Sequence, residues 1–191
     1  MTKGRLEAFS DGVIAILITI MVLELKVPHG TDLDALRPLV SVFLTYVLSF
    51  VFLGIYWSNH HHLLHATQKI NGKILWANLH LLFWLSLTPF VTGWAGENYL
   101  APLPTAVYGG VLLFSAVAYW ILSNAIIRAQ GPGSTLALAV GNDFKGKVSM
   151  VLYLVAIPLA FVVQWMAVAI YVFVALMWLV PDRRIETRLG E

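Results

Sequence analysis

Three groups of residues in this sequence have the types and spacing for chemistry. The first is Asp11, with Ser10 beside it and Arg5 about one and a half helical turns before it, inside a run that is otherwise apolar from Leu6 to Leu25. A carboxylate there is costly and needs a partner or water. Two readings stay open: Ser10 or Asp11 caps a helix start or anchors the structure, or the group belongs to an ion pathway. The second is the run Asn59-His60-His61-His62-Leu63-Leu64-His65, with His80 further along. Imidazoles spaced i, i+3 and i+4 share a helical face, so His61 or His62 with His65 could hold a metal. Carboxylates to complete such a site, or to act as general base, are scarce nearby. The alternative is a set of hydrogen-bonded histidines, some protonating with pH. The third is the stripe Ile16, Thr19, Ile20 and Leu23, at helical spacing on one side of the first apolar run. Gathered around an axis, copies of that stripe would make stacked apolar rings able to control conduction by dewetting. An apolar stripe facing lipid or a neighbouring helix has the same spacing.

The elements that carry these residues follow from composition. Of 191 residues 59% are apolar and 12% charged, against about half and a quarter in soluble domains. Mean hydropathy is +0.80, and the apolar residues stand in long runs, so the solvent is a bilayer. The charge balance, 12 basic against 10 acidic residues, has its cations near the ends of apolar runs, where they report orientation in a membrane; a nucleic-acid partner is not expected. With no cysteine, disulfides, thiolate metal sites, thiol catalysis and palmitoylation are excluded. No extramembrane domain and no removable signal peptide are expected, since polar Ser10 and Asp11 interrupt the first run and no A-x-A site follows it.

Spans of about 20 residues cross about 30 Å of hydrocarbon. The sequence predicts six in one domain, residues 1–191: Leu6 to Leu25, Leu36 to Tyr56 or beyond, Ile74 to Thr92, Pro104 to Ile127, and Val148 to Val180 divided into two by a turn near Gln164 and Trp165. The charges support that count. With the N-terminus inside, ten cations fall on the inner side (Lys3, Arg5, Lys69, Lys73, Arg128, Lys145, Lys147, Arg183, Arg184, Arg188) and only Lys26 and Arg37 outside. Both termini are therefore expected in the cytoplasm. Trp57, Trp76, Trp94, Tyr99, Trp165 and Trp178 fall near expected span ends, as belt residues do. Pro89 and Pro158 lie inside apolar runs, where kinks are tolerated, and Gly109 and Gly110 suit close helix contact. Residues 128–146, with Gly131, Pro132, Gly133 and Gly141, are expected to form a flexible inner connection.

No phosphate-cradling loop, nucleophile elbow or serine triad is present, so the expectation is not an enzyme. The Thr-Val-Gly-Tyr-Gly potassium filter is absent as well.

The stretch from Arg5 through Phe9, Ser10 and Asp11 to Ile16, followed by Leu23-Glu24-Leu25-Lys26-Val27-Pro28, resembles the first helix of bacterial relatives of the endolysosomal potassium channel called transmembrane protein 175. The hallmark is Arg-x-x-x-Phe-Ser-Asp, and Trp57, Asn59 and His60 are similar too. The resemblance implies an all-α integral membrane protein of the bacterial inner membrane, with six helices per subunit. It implies a homotetramer whose first helices line a central pore, a potassium-selective leak channel needing no cofactor, with K+ as the permeant ion and the lipid bilayer as surroundings. It implies that Ile16 forms the narrow hydrophobic ring, with Thr19 as a hydroxyl layer and Ile20 and Leu23 as further apolar layers. Arg5, Phe9, Ser10 and Asp11 then form a structural and gating knot that Trp57, His60 and His80 would contact. The rival class is a secondary ion or proton-coupled transporter using Asp11 and the histidines as alternately exposed sites. A metal-dependent membrane enzyme, which would carry zinc or iron, is a third.

Overall fold

The structure is a computed structural model and describes residues 2–131, 134, 136–137 and 143–179. Among the described residues the elements are helices: α1 (Lys3–Ile20), α2 (Val40–His65), α3 (Gly72–Ser86), α4 (Thr88–Glu97), α5 (Pro102–Gln130), α6 (Phe144–Leu159) and α7 (Gln164–Leu179), with 3-10 segments at Met21–Glu24 and Leu33–Leu39. The C-terminal cations Arg183, Arg184 and Arg188 and most of the connection between α5 and α6 lie outside the described residues.

Each boundary has a local cause. The first expected span is α-helical only to Ile20 and tightens into the 3-10 turn Met21–Glu24 before Pro28 and Gly30. The second opens with Asp32, whose carboxylate accepts from the Ala35 amide at 3.1 Å. It stays 3-10 through Pro38 and continues as α2, whose last turns carry the histidine run. Asn71 caps α3 by accepting from the Ile74 amide at 2.9 Å. The third span is not one straight helix. It breaks at Leu87, because Pro89 has no amide to give and sits in the first turn of α4, where none is required. The span then runs on past Thr92 to Glu97. Helix α5 opens with Pro102 and closes at Gly131, whose φ of +93° is open to glycine at no steric cost. The final apolar stretch divides as expected, but the turn falls at residues 160–163, and Gln164 opens α7.

Four stretches, Lys3–Glu24, Leu33–His65, Gly72–Glu97 and Pro102–Gln130, are long and apolar enough to cross a membrane. Helix α6 has 16 residues, about 24 Å at helical rise and short of a full hydrocarbon core, and α7 has 16 among the described residues.

Two apolar clusters hold the helices together. One joins Leu6, Ile14, Leu17 and Met21 of α1 and its 3-10 turn to Leu53 and Leu64 of α2, Leu81 and Leu85 of α3 and Leu122 and Ile126 of α5. The other gathers Phe52, Val91, Tyr108, Tyr153 and Tyr171 around small residues such as Ala156, Ala160 and Ala167, which let α4 to α7 approach closely. Gly109 serves the same end: a Cβ there would overlap the Tyr171 hydroxyl. Gly110, expected to act likewise, faces open space.

Candidate functional site

Helix α1 has two unlike faces. Leu6, Ser10, Ile14, Leu17 and Met21, spaced by three or four, are buried against the bundle. The opposite face, Arg5, Ala8, Phe9, Gly12, Ala15, Ile16, Thr19, Ile20 and Leu23, is exposed from end to end. The stripe read from the sequence lies wholly on it, with Ile16 59%, Ile20 39% and Leu23 76% exposed. The Thr19 hydroxyl donates back to its own helix, 2.9 Å from the Ile16 carbonyl and 3.1 Å from that of Ala15. Its one proton is committed inward, which leaves its oxygen lone pairs as acceptors on the exposed face.

The buried face is pinned by a directed chain of hydrogen bonds. Ser10 Oγ donates to the Leu6 carbonyl at 2.8 Å and accepts from Asn78 Nδ2 at 2.9 Å. Asn78 Oδ1 is 2.6 Å from His60 Nε2. Because the Asn78 amide nitrogen is spent on Ser10, its oxygen must accept, so the His60 tautomer is the one protonated at Nε2. All three residues are buried. Beside the chain, Trp57 Nε1 donates to Asp11 Oδ1 at 3.1 Å. Helices α1, α2 and α3 are thereby tied at one level by polar contacts, and those among Ser10, Asn78 and His60 satisfy groups that burial would otherwise penalise.

The capping reading of Ser10 and Asp11 is overturned. The helix begins at Lys3 with Thr2 before it, so both residues stand in its third turn, where no free amides need a cap. Arg5 and Phe9 stay on the exposed face, and among the described residues no ion pair joins Arg5 to Asp11. Trp57 meets the motif directly and His60 meets it through Asn78. His80 does not join them. It accepts from Trp84 Nε1 at 2.9 Å within α3, and Trp84 in turn stacks on Phe114 of α5 at 4.4 Å. Asn78 was missed in the sequence; an amide in an apolar run, two residues before the histidine that was noticed, was the available signal.

The other histidines of α2, His61, His62 and His65, form a ladder at its end. His61 and His65 stack at 6.1 Å, Trp57 lies 6.4 Å from His61, and Lys3 Nζ donates to the His65 carbonyl at 2.6 Å. Among the described residues no group of three or more His, Asp or Glu is arranged to hold a metal ion.

The same α1 and α2 residues fall in the segment matched by a family of known proteins. The sequence model of the family described as "Endosomal/lysosomal potassium channel TMEM175" matches residues 5–89, from Arg5 of the motif to Pro89 of the α4 turn. A potassium channel of Chryseobacterium sp. (strain P1-3) is 54% identical over 191 residues, the whole of both chains. The chain belongs to the TMEM175 family. A second relative, a potassium channel of Chamaesiphon minutus, is 30% identical over 181 residues, 87% of this chain and 88% of that one. The crystal structure of a lysosomal potassium-selective channel TMEM175 homolog from Chamaesiphon minutus superposes with a TM-score of 0.79 at 29% identity, covering 92% of this chain and 95% of that chain. As a member of the TMEM175 family with four long apolar spans, the protein is a multi-pass membrane protein.

Proposed function

We propose that this TMEM175-family chain is one subunit of a homotetrameric potassium channel in the bacterial inner membrane. Each subunit forms a single domain of six spans with both termini cytoplasmic, and four copies of α1 surround a central pore. The names of its full-length relatives favour potassium conduction, and the excess of cations on the expected inner side favours the orientation.

The observation that carries the reading is the exposed face of α1. The rest of that helix is fixed to its own bundle by Leu6, Ile14, Leu17 and the Ser10–Asn78–His60 chain. The face left over combines small Ala8, Gly12 and Ala15 with the layers Ile16, Thr19, Ile20 and Leu23. Ile16 would be the narrowest ring. It offers no oxygen to replace water, so an ion passing it keeps most of its shell, and the more tightly hydrated sodium ion pays more in a narrow ring. Outward-facing Thr19 oxygens one turn on offset part of the cost of losing water. Arg5, Phe9, Ser10, Asp11, Trp57 and His60 act as support and gating contacts rather than as the filter, and K+ is the only species the mechanism requires.

The test is bilayer recording of purified protein under K+, Na+ and H+ gradients. The expected result is unitary, K+-preferring currents that need no counter-substrate, with the Ile16→Asn variant conducting more and selecting less. Saturable coupled exchange would make the protein a carrier, and unchanged permeation in Ile16→Asn would remove position 16 as the constriction.

A further inference from the structure

A cavity lies away from the α1 face, between α2, α5, α6 and α7, and no step of the conduction reading uses it. It is partly open to the outside, and about 510 Å3 of atom-free space lies within it and its opening. Its walls are aromatic, with Tyr56, Tyr119, Tyr153 and Trp178, and its other polar members are Asn59, Asp143 and Ser149, whose Oγ already accepts from Trp178 Nε1 and donates to the Lys145 carbonyl. The Asp143 carboxylate accepts from the Gly146 amide at 3.2 Å, and burial pushes its carboxyl up from its ordinary value, opposed in part by that hydrogen bond and by the charge of Lys147. The carboxylate is thus partly drawn out of water, with the Gly146 amide and the charge of Lys147 acting on it. Tyr119 donates to the Asn59 carbonyl, and Asn59 Nδ2 donates to the Ile55 carbonyl. Among the described residues no hydrogen bond engages Asn59 Oδ1 or the hydroxyls of Tyr56 and Tyr153. The wall therefore offers π faces, a carboxylate and several oxygen acceptors, which together suit a cation that donates hydrogen bonds.

The mouth has the opposite sign. Lys145 Nζ lies 5.9 Å from the centroid of the Trp178 ring, and Lys147 is near enough to act on Asp143. A bare organic cation would meet these lysines as a repulsive rim. A zwitterion with its ammonium inside and a phosphate at the rim matches the sign of both zones.

We infer that this cavity binds a phosphoethanolamine group. Its primary ammonium enters among Tyr56, Tyr119, Tyr153 and the Asp143 carboxylate, and its phosphate lies at the mouth toward Lys145 and Lys147. The group comes from phosphatidylethanolamine in the surrounding leaflet or from free phosphoethanolamine. A choline head fits less well, because its trimethylammonium cannot donate to the waiting oxygens.

The test uses the full chain in nanodiscs of phosphatidylethanolamine with phosphatidylglycerol, or phosphatidylcholine with phosphatidylglycerol, and native mass spectrometry of retained lipid. The probe variant is Asp143→Asn. Asn serves equally as an N-cap and tolerates the left-handed backbone that position 143 adopts (φ +42°), so the charge is removed with the fold kept. Tyr56→Phe is a second variant, and Asp34→Asn, on the exposed 3-10 segment, is the control. Wild type should retain the ethanolamine lipid about tenfold over the choline lipid, as one charge-assisted contact predicts. Asp143→Asn should abolish that preference, Tyr56→Phe should reduce it, and Asp34→Asn should leave it. A thermal shift with free phosphoethanolamine, absent in Asp143→Asn, without lipid preference would assign the site to the soluble molecule. Equal retention of both lipids together with no shift, or a preference that survives Asp143→Asn, overturns the inference. None of these readouts depends on ion flux, so failure here leaves the channel reading standing.

Discussion

Asn78 bears more than its size would indicate. It donates to Ser10 and accepts from His60, so truncating it takes the acceptor from buried His60 Nε2 and one of the two hydrogen bonds of buried Ser10 Oγ at once. Asn78→Ala should destabilise the protein by about 1–2 kcal/mol, the range seen for buried polar contacts in membrane bundles. Unfolding in mixed micelles measures this. Asn124→Ala is the matched control, because that exposed amide only donates to the Trp120 carbonyl of its own helix. It should fall within about 0.5 kcal/mol of wild type. Equal effects of the two substitutions would show that the chain across α1, α2 and α3 contributes nothing beyond a surface contact. The same residues show what a sequence can reveal at this scale. Asp11 and His60 are conspicuous because charge and imidazole are rare in apolar runs. The Trp57 to Asp11 bond and the role of Asn78 depend on the relative rotation of three helices, which no one-dimensional pattern encodes. His80 misled for the same reason: it shares helix α3 with Asn78 but bonds within that helix, to Trp84.

At the scale of elements, the apolar runs and their Pro and Gly punctuation made the helices legible. Inner boundaries were less so, since the break at Leu87 and the 3-10 turn after Ile20 interrupt runs whose hydropathy does not change. Helix contact is similarly hidden, as adjacent Gly109 and Gly110 show. At Gly109 a Cβ would overlap the Tyr171 hydroxyl and come within 2.7 Å of its Cζ, in a core where Tyr171 is buried. At Gly110 nothing lies within 4 Å. Gly109→Ala should therefore cost about 1–3 kcal/mol by forcing α5 and α7 apart. Gly110→Ala should be neutral or stabilising by up to about 1 kcal/mol, since it replaces the weakest ordinary helix former in mid-helix. Adding Tyr171→Phe to Gly109→Ala should restore part of the loss, because the hydroxyl is the atom most directly overlapped. Indistinguishable melting of the two single alanine variants would contradict this account of how α7 is seated.

For the whole molecule, the decisive question is what covers the exposed face of α1. Lipid and a second copy of the same helix both accept Ile16, Ile20 and Leu23, and the exposure of a single chain does not separate them. Symmetry does. If four α1 helices meet on an axis, position 16 of each copy faces position 16 of the others, an arrangement that lipid exposure cannot produce. The chain has no cysteine, so one introduced thiol reports without background. Under copper-catalysed oxidation Ile16→Cys should give covalent dimers on a denaturing gel. Cd2+ should block its K+ flux, because several thiolates converging at a narrow ring make a soft-metal site. Leu154→Cys, on α6 and 62% exposed, should do neither, since an outward lipid-facing position meets no copy of itself. The reverse pattern, with cross-linking at position 154 and none at position 16, would place the first helices at the rim of the assembly and move the conduction path away from them.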